Sequence, residues 1–261
     1  MTQQLWLALI GVLTMAFAGS AAAGDAPPEG FIYKSIDVGG HTYPFVVYRP
    51  RGLDATKPAR GLIFLHGSGE CGTDGSKMLG VGLPNALLWD PDRWPFVILI
   101  PQKPDSQCEW EDHDDAVMAM LDRMIKEQNV DPHRVAITGL SQGGHGTIAL
   151  ASRHPGRFRA AAPVCGYISP VWHDGKRGER TMPGGDDAKA LVESFRTTPV
   201  WLFHGGKDDV VPPANSQWLH DQLNEVGLDC KITIFPDDNH NSWDSAYRKS
   251  GVWDWLVEMT E

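Results

Sequence analysis

The stretch Val135-Ala136-Ile137-Thr138-Gly139-Leu140-Ser141-Gln142-Gly143-Gly144-His145-Gly146 is a short β-branched run that ends in Gly-x-Ser-x-Gly. A helix-forming run, Thr147 to Ser152, follows at once. Strand, sharp turn and helix are expected, with Ser141 at the apex, its backbone strained and its hydroxyl lifted above the edge of a sheet. Gly139 and Gly143 flank the serine because side chains there would collide as the helix folds back over the strand. Chance supplies many bare Gly-x-Ser-x-Gly runs. The flanking strand and helix make this serine a candidate nucleophile rather than a hydrogen-bonding residue in a glycine-rich turn.

On either side, apolar runs alternate with helical stripes. Ser35 to Tyr48 alternates and turns at Gly39-Gly40, a β-hairpin pattern. Gly61 to Leu65 is a strand leading into His66-Gly67-Ser68-Gly69-Glu70, and Phe96 to Ile100 suits a strand buried on both faces. Val117, Met120, Leu121, Met124 and Ile125 form one helical stripe, with Asp114 and Asp115 in its first turn and Lys126 near its end. Ala160 to Cys165, Pro199 to Phe203 and Lys231 to Phe235 are further strands. Leu219, Leu223 and Val226 mark a helix closed by Gly227, and Val252 to Met259 a terminal one. This order predicts an α/β fold, a mostly parallel doubly wound sheet with helices on both faces. Its working face lies beyond the carboxyl ends of the strands. The long connection Tyr167 to Thr198 (167–198) leaves one of those ends, as a lid over the site or as a disordered surface insertion.

The 261 residues are 42% hydrophobic and 21% charged, which suits one large domain over 24–261. Leu5 to Phe17 is almost wholly apolar, and Gly19-Ser20-Ala21-Ala22-Ala23 supplies small residues for cleavage. The run is short for a bilayer, so residues 1–23 are expected to be a signal peptide cleaved after Ala23. Met1 to Trp6 carries no lysine or arginine, and an uncleaved anchor is the rival expectation. Cleavage implies a secreted or periplasmic protein with no stable membrane insertion. The net charge of −10 disfavours nucleic acid as a partner, and its long-range field repels anionic substrates. Export permits disulfides, and of Cys71, Cys108, Cys165 and Cys230 the first two lie in loops on one rim and form the preferred pair. No Cys or His spacing suggests a metal site.

A serine hydroxyl needs a base within hydrogen-bond reach and a third group that fixes the base's tautomer. The expected chain order is Ser, acid, His, with the acid after a late strand and the histidine after the last. His204-Gly205-Gly206-Lys207-Asp208-Asp209 follows the penultimate strand, and Asp237-Asp238-Asn239-His240 the last. His240 is the candidate base, and Asp208 or Asp209 the acid. His66, His145 and His204 are expected to fix loops, and His220 to lie remote on a helix. Oxyanion donors are expected from the backbone amides of Gln142 and of Ser68, with Gly67 as the alternate. Trp110, Trp172 and Trp243 lie on loops at the rim and could stack on an aryl or sugar group, although Trp243 could instead brace the His240 loop. Trp89 and Trp94 are expected to cover the core. This chemistry requires no cofactor.

Leu65-His66-Gly67-Ser68-Gly69-Glu70, Pro101-Gln102, Gly139-Leu140-Ser141-Gln142-Gly143-Gly144, His204-Gly205-x-x-Asp208 through Val211-Pro212, and His240-Asn241-Ser242-Trp243-Asp244-x-x-Tyr247 together resemble secreted α/β-hydrolases. More narrowly they are similar to the "predicted peptidase" esterases related to phospholipase/carboxylesterases, dienelactone hydrolases and feruloyl esterases. The resemblance runs from Phe31 to the end and implies Asp208 as the acid. It departs at Cys71, where that family commonly has arginine. The expected activity is a secreted serine esterase that cleaves small-molecule or carbohydrate esters (short acyl, aryl or polysaccharide-linked) through an acyl-enzyme. A serine peptidase of the same fold and a non-catalytic binding protein on a hydrolase scaffold are the alternatives.

Overall fold

The computed structural model describes residues 28–261, and the expected signal peptide at 1–23 lies outside them. Among the described residues no helix is long and apolar enough to cross a membrane. Strands β1 (Gly30–Val38) and β2 (His41–Arg49) form the expected hairpin. The other sheet strands are β3 (Ala59–Leu65), β4 (Phe96–Pro101), β5 (Val130–Leu140), β6 (Ala161–Val164), β9 (Val200–Gly205) and β10 (Cys230–Phe235). They make an eight-stranded sheet in the order β1-β2-β4-β3-β5-β6-β9-β10, antiparallel at β1, β2 and β4 and parallel from β4 to β10.

The central strands have no polar face because both faces are covered. Ile63, Leu65, Val97, Leu99, Val135 and Ile137 pack into one core with Val117, Met120, Leu121 and Met124 of α2 (Asp114–Gln128). Their neighbours Leu62, Phe64, Phe96, Ile98 and Ile100 pack into the other, against Tyr247 of α6 (Trp243–Lys249) and Trp255 and Leu256 of α7 (Val252–Met259). This two-sided burial explains why their sequences read as unbroken apolar runs. The same register aligns the working ends. Leu65 pairs with Gly139, Leu140 with Val164, Val164 with Phe203, and Gly205 with Phe235. Five strands therefore release their loops at one level.

The connection 167–198 carries secondary structure of its own. It contains the hairpin β7 (Trp172–His173) and β8 (Lys176–Arg177), then α4 (Gly185–Ser194). Helix α4 buries only Ala188 and Val192, too sparse a stripe to stand out in sequence. Helices α1 (Leu83–Trp89) and α6 were equally hidden, each being only seven residues long. Trp94 is buried as expected, but Trp89 is 72% exposed, with the Arg248 guanidinium over its ring.

Helix α3 (Gln142–Arg153) lies so close to β3 that a Cβ on Gly143 would sit 2.0 Å from the Leu65 carbonyl oxygen. Because that obstacle is backbone, no rotamer relieves it. Gly143→Ala is expected to cost at least about 3 kcal/mol by forcing helix and strand apart. The urea midpoint measures it, and an unchanged midpoint would contradict the close approach.

Candidate active site

The turn after β5 holds Ser141 at φ 55 and ψ −116, a strained conformation for a residue with a side chain. Hydrogen bonds fix it from both sides: its N–H donates to the Val164 carbonyl at 2.9 Å, and its own carbonyl accepts from His145 at 3.0 Å. Ser141 Oγ lies 2.9 Å from His240 Nε2, and His240 Nδ1 lies 2.8 Å from Asp208 Oδ2. Because the carboxylate can only accept, Nδ1 carries the proton and Nε2 is free to take one from the serine.

Asp208 is sealed below the surface, and its Oδ1 accepts from the N–H groups of Val210 and Val211, both at 2.9 Å. Burial alone would raise its pKa. Hydrogen bonds from His204 and His240 and from the Val211 amide outweigh burial and hold the carboxyl well below its usual range. The neighbouring Asp209 is exposed. The acid and base turns are stitched together by Lys207 N–H donating to the Asp238 carbonyl at 2.9 Å. Gly205 makes that contact possible, since a Cβ there would lie 2.1 Å from the Asn239 carbonyl oxygen.

Ser68 opens a short 3-10 turn and Gln142 opens α3, so neither backbone N–H has an acceptor within its own helix. Both residues line the same cavity of about 370 Å³ as Ser141 and His240. The Ser68 loop is held by His66, a buried imidazole that donates from Nδ1 to the Gly67 carbonyl (2.6 Å) and accepts the Lys103 N–H at Nε2 (3.0 Å). Gln102 braces the next turns by accepting the Gly75 N–H at 2.7 Å and donating to the Glu70 carbonyl at 3.2 Å.

Of the three rim tryptophans, only Trp172 lines the cavity. Trp243 stands edge-on to His240 with ring centroids 5.5 Å apart, so it braces that loop. Trp110 corrects the expectation: it is 1% exposed, its indole N–H donates to the His66 carbonyl at 3.1 Å, and its ring fills the space a Cβ on Gly146 would need. Its place is under the site, not at the substrate. The cysteines are also corrected, because Cys71 and Cys108 are free thiols, as are Cys165 and Cys230. His220 lies on α5 (Ala214–Glu225), away from the site, beside Asp221.

Sequence reasoning missed Glu109. This fully buried carboxylate accepts from Gln142 Nε2 (3.1 Å), the Tyr167 hydroxyl (2.7 Å) and the N–H groups of Val171 (2.9 Å) and Trp172 (3.1 Å). It thereby ties the nucleophile turn to the 167–198 connection. Nothing in Cys108-Glu109-Trp110-Glu111-Asp112 separates it from a solvated acid. Also missed were Ser106, Arg177 and Arg180, which line the cavity beside Tyr167, Val171 and Val210. Among the described residues two side-chain groups are compact enough to approach a metal: Cys165, Asp208 and His240, and Glu109, Glu111 and His145. In the first, Asp208 is bonded to His240, and burial pushes the Cys165 thiol up to about 12, away from a ligating thiolate; in the second, Glu111 is bonded to His145 while Glu109 is held by its four donors from outside the group.

The fold and this arrangement define a serine hydrolase of the α/β-hydrolase fold. Residues 109–261, more than half of the chain, match the prolyl oligopeptidase family, and the chain belongs to it. It is 31% identical over 166 residues to acylamino-acid-releasing enzyme 1 of Oryza sativa, an alignment covering 52% of this chain and 21% of that enzyme. It is 34% identical over 116 residues to S-formylglutathione hydrolase of Rattus norvegicus, covering 40% of each. The chain thus spans less than half the length of these two relatives. Among solved structures, a thermostable esterase aligns with a TM-score of 0.72 and 27% identity, covering 87% of this chain and 62% of that one.

His66 links the site to pH. Burial lowers its pKa from the usual 6.5 to about 4, because protonation would charge an enclosed ring and forfeit the Lys103 bond. A depressed histidine means the unfolded chain binds more protons, so the stabilisation is complete above pH 6.5 and drains away as pH falls to about 4. The contribution is on the order of 3 kcal/mol. Melting temperature should fall across that window in the native chain, and the His66→Gln variant should show a flatter profile there. Parallel profiles would remove His66 as the cause.

Proposed function

We propose that this protein is a secreted serine esterase that hydrolyses carboxylic esters through an acyl-enzyme. The observation that carries the chemistry is the single imidazole placed 2.9 Å from a serine hydroxyl and 2.8 Å from a sealed carboxylate. Ser141 Oγ attacks the acyl carbon while His240 Nε2 takes its proton. The oxyanion that forms is held by the N–H groups of Ser68 and Gln142, at the positive end of α3. Collapse expels the alcohol, which receives the proton from His240. A water then attacks the acyl-enzyme by the same route and frees Ser141. Asp208 stays ionised throughout, orienting the ring and stabilising its positive form. No cofactor enters these steps.

An ester substrate is supported by the similarity to a thermostable esterase over most of this chain. A peptide substrate is the second reading, favoured by the family match and by the similarity to an acylamino-acid-releasing enzyme. Trp172 at the cavity wall offers a flat face to an aryl or sugar group. Export is inferred from the apolar run Leu5 to Phe17 and the small residues ending at Ala23.

Ser141→Ala should lower ester turnover by about six decades and abolish labelling by a fluorophosphonate probe. Retained labelling would point to another nucleophile. Asp208→Asn should reduce kcat far more than Asp209→Asn, and the opposite order would move the acid to position 209. A panel of acetyl, butyryl and feruloyl esters beside peptidyl amides separates the two substrate classes. An amide cleaved faster than every ester would favour the peptidase.

A further inference from the structure

The cavity holding Ser141 is lined on one side by two arginines, Arg177 on β8 and Arg180 three residues on. The arginine ion pairs among the described residues involve Arg60, Arg93, Arg123, Arg153, Arg157 and Arg196. Arg177, which is exposed, and Arg180 have none; Arg49, Arg51, Arg134, Arg159 and Arg248 also lack one, but of these seven only Arg177 and Arg180 line the cavity of Ser141.

Arg180 is nevertheless fixed in place. It donates to the Val210 carbonyl in the acid loop, and its guanidinium carbon lies 5.4 Å from the centroid of the Tyr167 ring. That ring stacks on His145 at 4.5 Å, and its hydroxyl is bonded to Glu109. Arg180 Nε has no hydrogen-bond partner, so the protein leaves the donor set incomplete. Burial, and after it the charge of Arg177, lowers the pKa of Arg180, so the two cations lie near enough to repel. Asp208 and Glu109 offset this only in part, and neither forms an ion pair with Arg180. Asp208 is committed to His240 and two backbone amides, and Glu109 to Gln142, Tyr167 and two more.

We infer that Arg177 and Arg180 form a carboxylate subsite, so that the ester this enzyme prefers carries a free carboxylate on its acyl or its alcohol side. The inference rests on the esterase function and narrows its substrate class. A carboxylate is planar, fits the guanidinium fork and separates two cations that otherwise repel. The chain's overall negative charge acts against anions only at a distance, where salt screens it within about 10 Å. At contact the two arginines set the sign. Their position on the 167–198 connection also gives that insertion its role, which is to supply substrate selection above a catalytic floor made by the strand ends.

Matched ester pairs test this. One pair is the mono-para-nitrophenyl ester of adipic acid and its methyl diester, with the charge on the acyl side. The other is para-acetoxybenzoate and its methyl ester, with the charge on the alcohol side. After normalisation to hydroxide-catalysed rates, kcat/KM for the charged member should exceed that of its neutral partner by about tenfold or more in at least one pair, mainly through KM. The ratio should shrink as salt rises, collapse toward one in Arg177→Gln and in Arg180→Gln, and invert in Arg177→Glu. Arg177 makes no side-chain hydrogen bond among the described residues, so its variants test the charge without disturbing the Val210 anchor. Ratios at or below one in both pairs, or ratios unmoved by the Arg177 variants, would overturn the subsite while leaving the esterase standing. No turnover of para-nitrophenyl acetate would instead remove the esterase activity, and the subsite with it.

Discussion

One imidazole held from both sides is the constraint on which everything else in this molecule depends. His240 must present Nε2 to Ser141 while Nδ1 is committed to Asp208, and a shift of about an ångström would break one contact or the other. The three residues lie in loops that follow different strands, so their meeting is a property of the sheet. Parallel register does that work: Leu140 pairs with Val164, Val164 with Phe203, and Gly205 with Phe235, so the strands under the three residues stop together. The antiparallel hairpin β1–β2 adds core at one edge but delivers no side chain to the site.

Loops alone would not hold such a geometry, and each is anchored by groups that look incidental in the sequence. The base loop runs into α6, whose Tyr247 hydroxyl lies 2.9 Å from Thr138 on the nucleophile's own strand. The acid turn and the base loop touch through backbone because Gly205 has no side chain. The serine turn is clamped between β3 and the Val164 carbonyl. Buried histidines take structural roles around it, each with its nitrogens satisfied. His204 bonds Ser216 and the Val211 carbonyl, and His145 bonds Glu111 and the Tyr167 carbonyl. Burial opposes charge on His145, but its bond to the Glu111 carboxylate more than compensates and raises its pKa. That contribution is complete below pH 6.5 and is lost as pH climbs through the raised value, opposite in sense to His66.

What could be read from the sequence, and what could not, follows from how local each cause is. The Ser141 turn, the strand ends and the approach of His240 and Asp208 were legible because strand–turn–helix grammar and loop order are local signals. The α2 stripe from Val117 to Ile125 was legible for the same reason. Trp110 was misplaced because sequence shows that it lies in a loop, but not that Gly146 opens a pocket for its ring 36 positions later. Glu109 and the arginines were invisible because their meaning is relational. A carboxylate is structural or solvated according to which donors converge on it, and those donors come from Gln142, Tyr167, Val171 and Trp172. The connection 167–198 read as irregular because its order comes from tertiary contacts rather than from its own apolar periodicity.

Those relational residues also explain how an acidic chain keeps a site suited to developing negative charge. Two buried carboxylates bonded to residues of the site, Asp208 and Glu109, are each covered by donors: N–H groups on Asp208, and N–H groups with the Tyr167 hydroxyl on Glu109. Among the groups that line the cavity are Gln142 at the amino end of α3, the Ser68 turn and two arginines, all of positive sense. Chemistry and selection are then separable in space but not in mechanics. The strand ends make the nucleophile, and the 167–198 connection makes the wall opposite it. Glu109 bonds both, taking the Gln142 side chain with one oxygen and the Val171 and Trp172 amides with the other. On the proposed mechanism, a change in that wall reaches Gln142, whose amide would hold the oxyanion, and so couples substrate fit to turnover through one buried carboxylate.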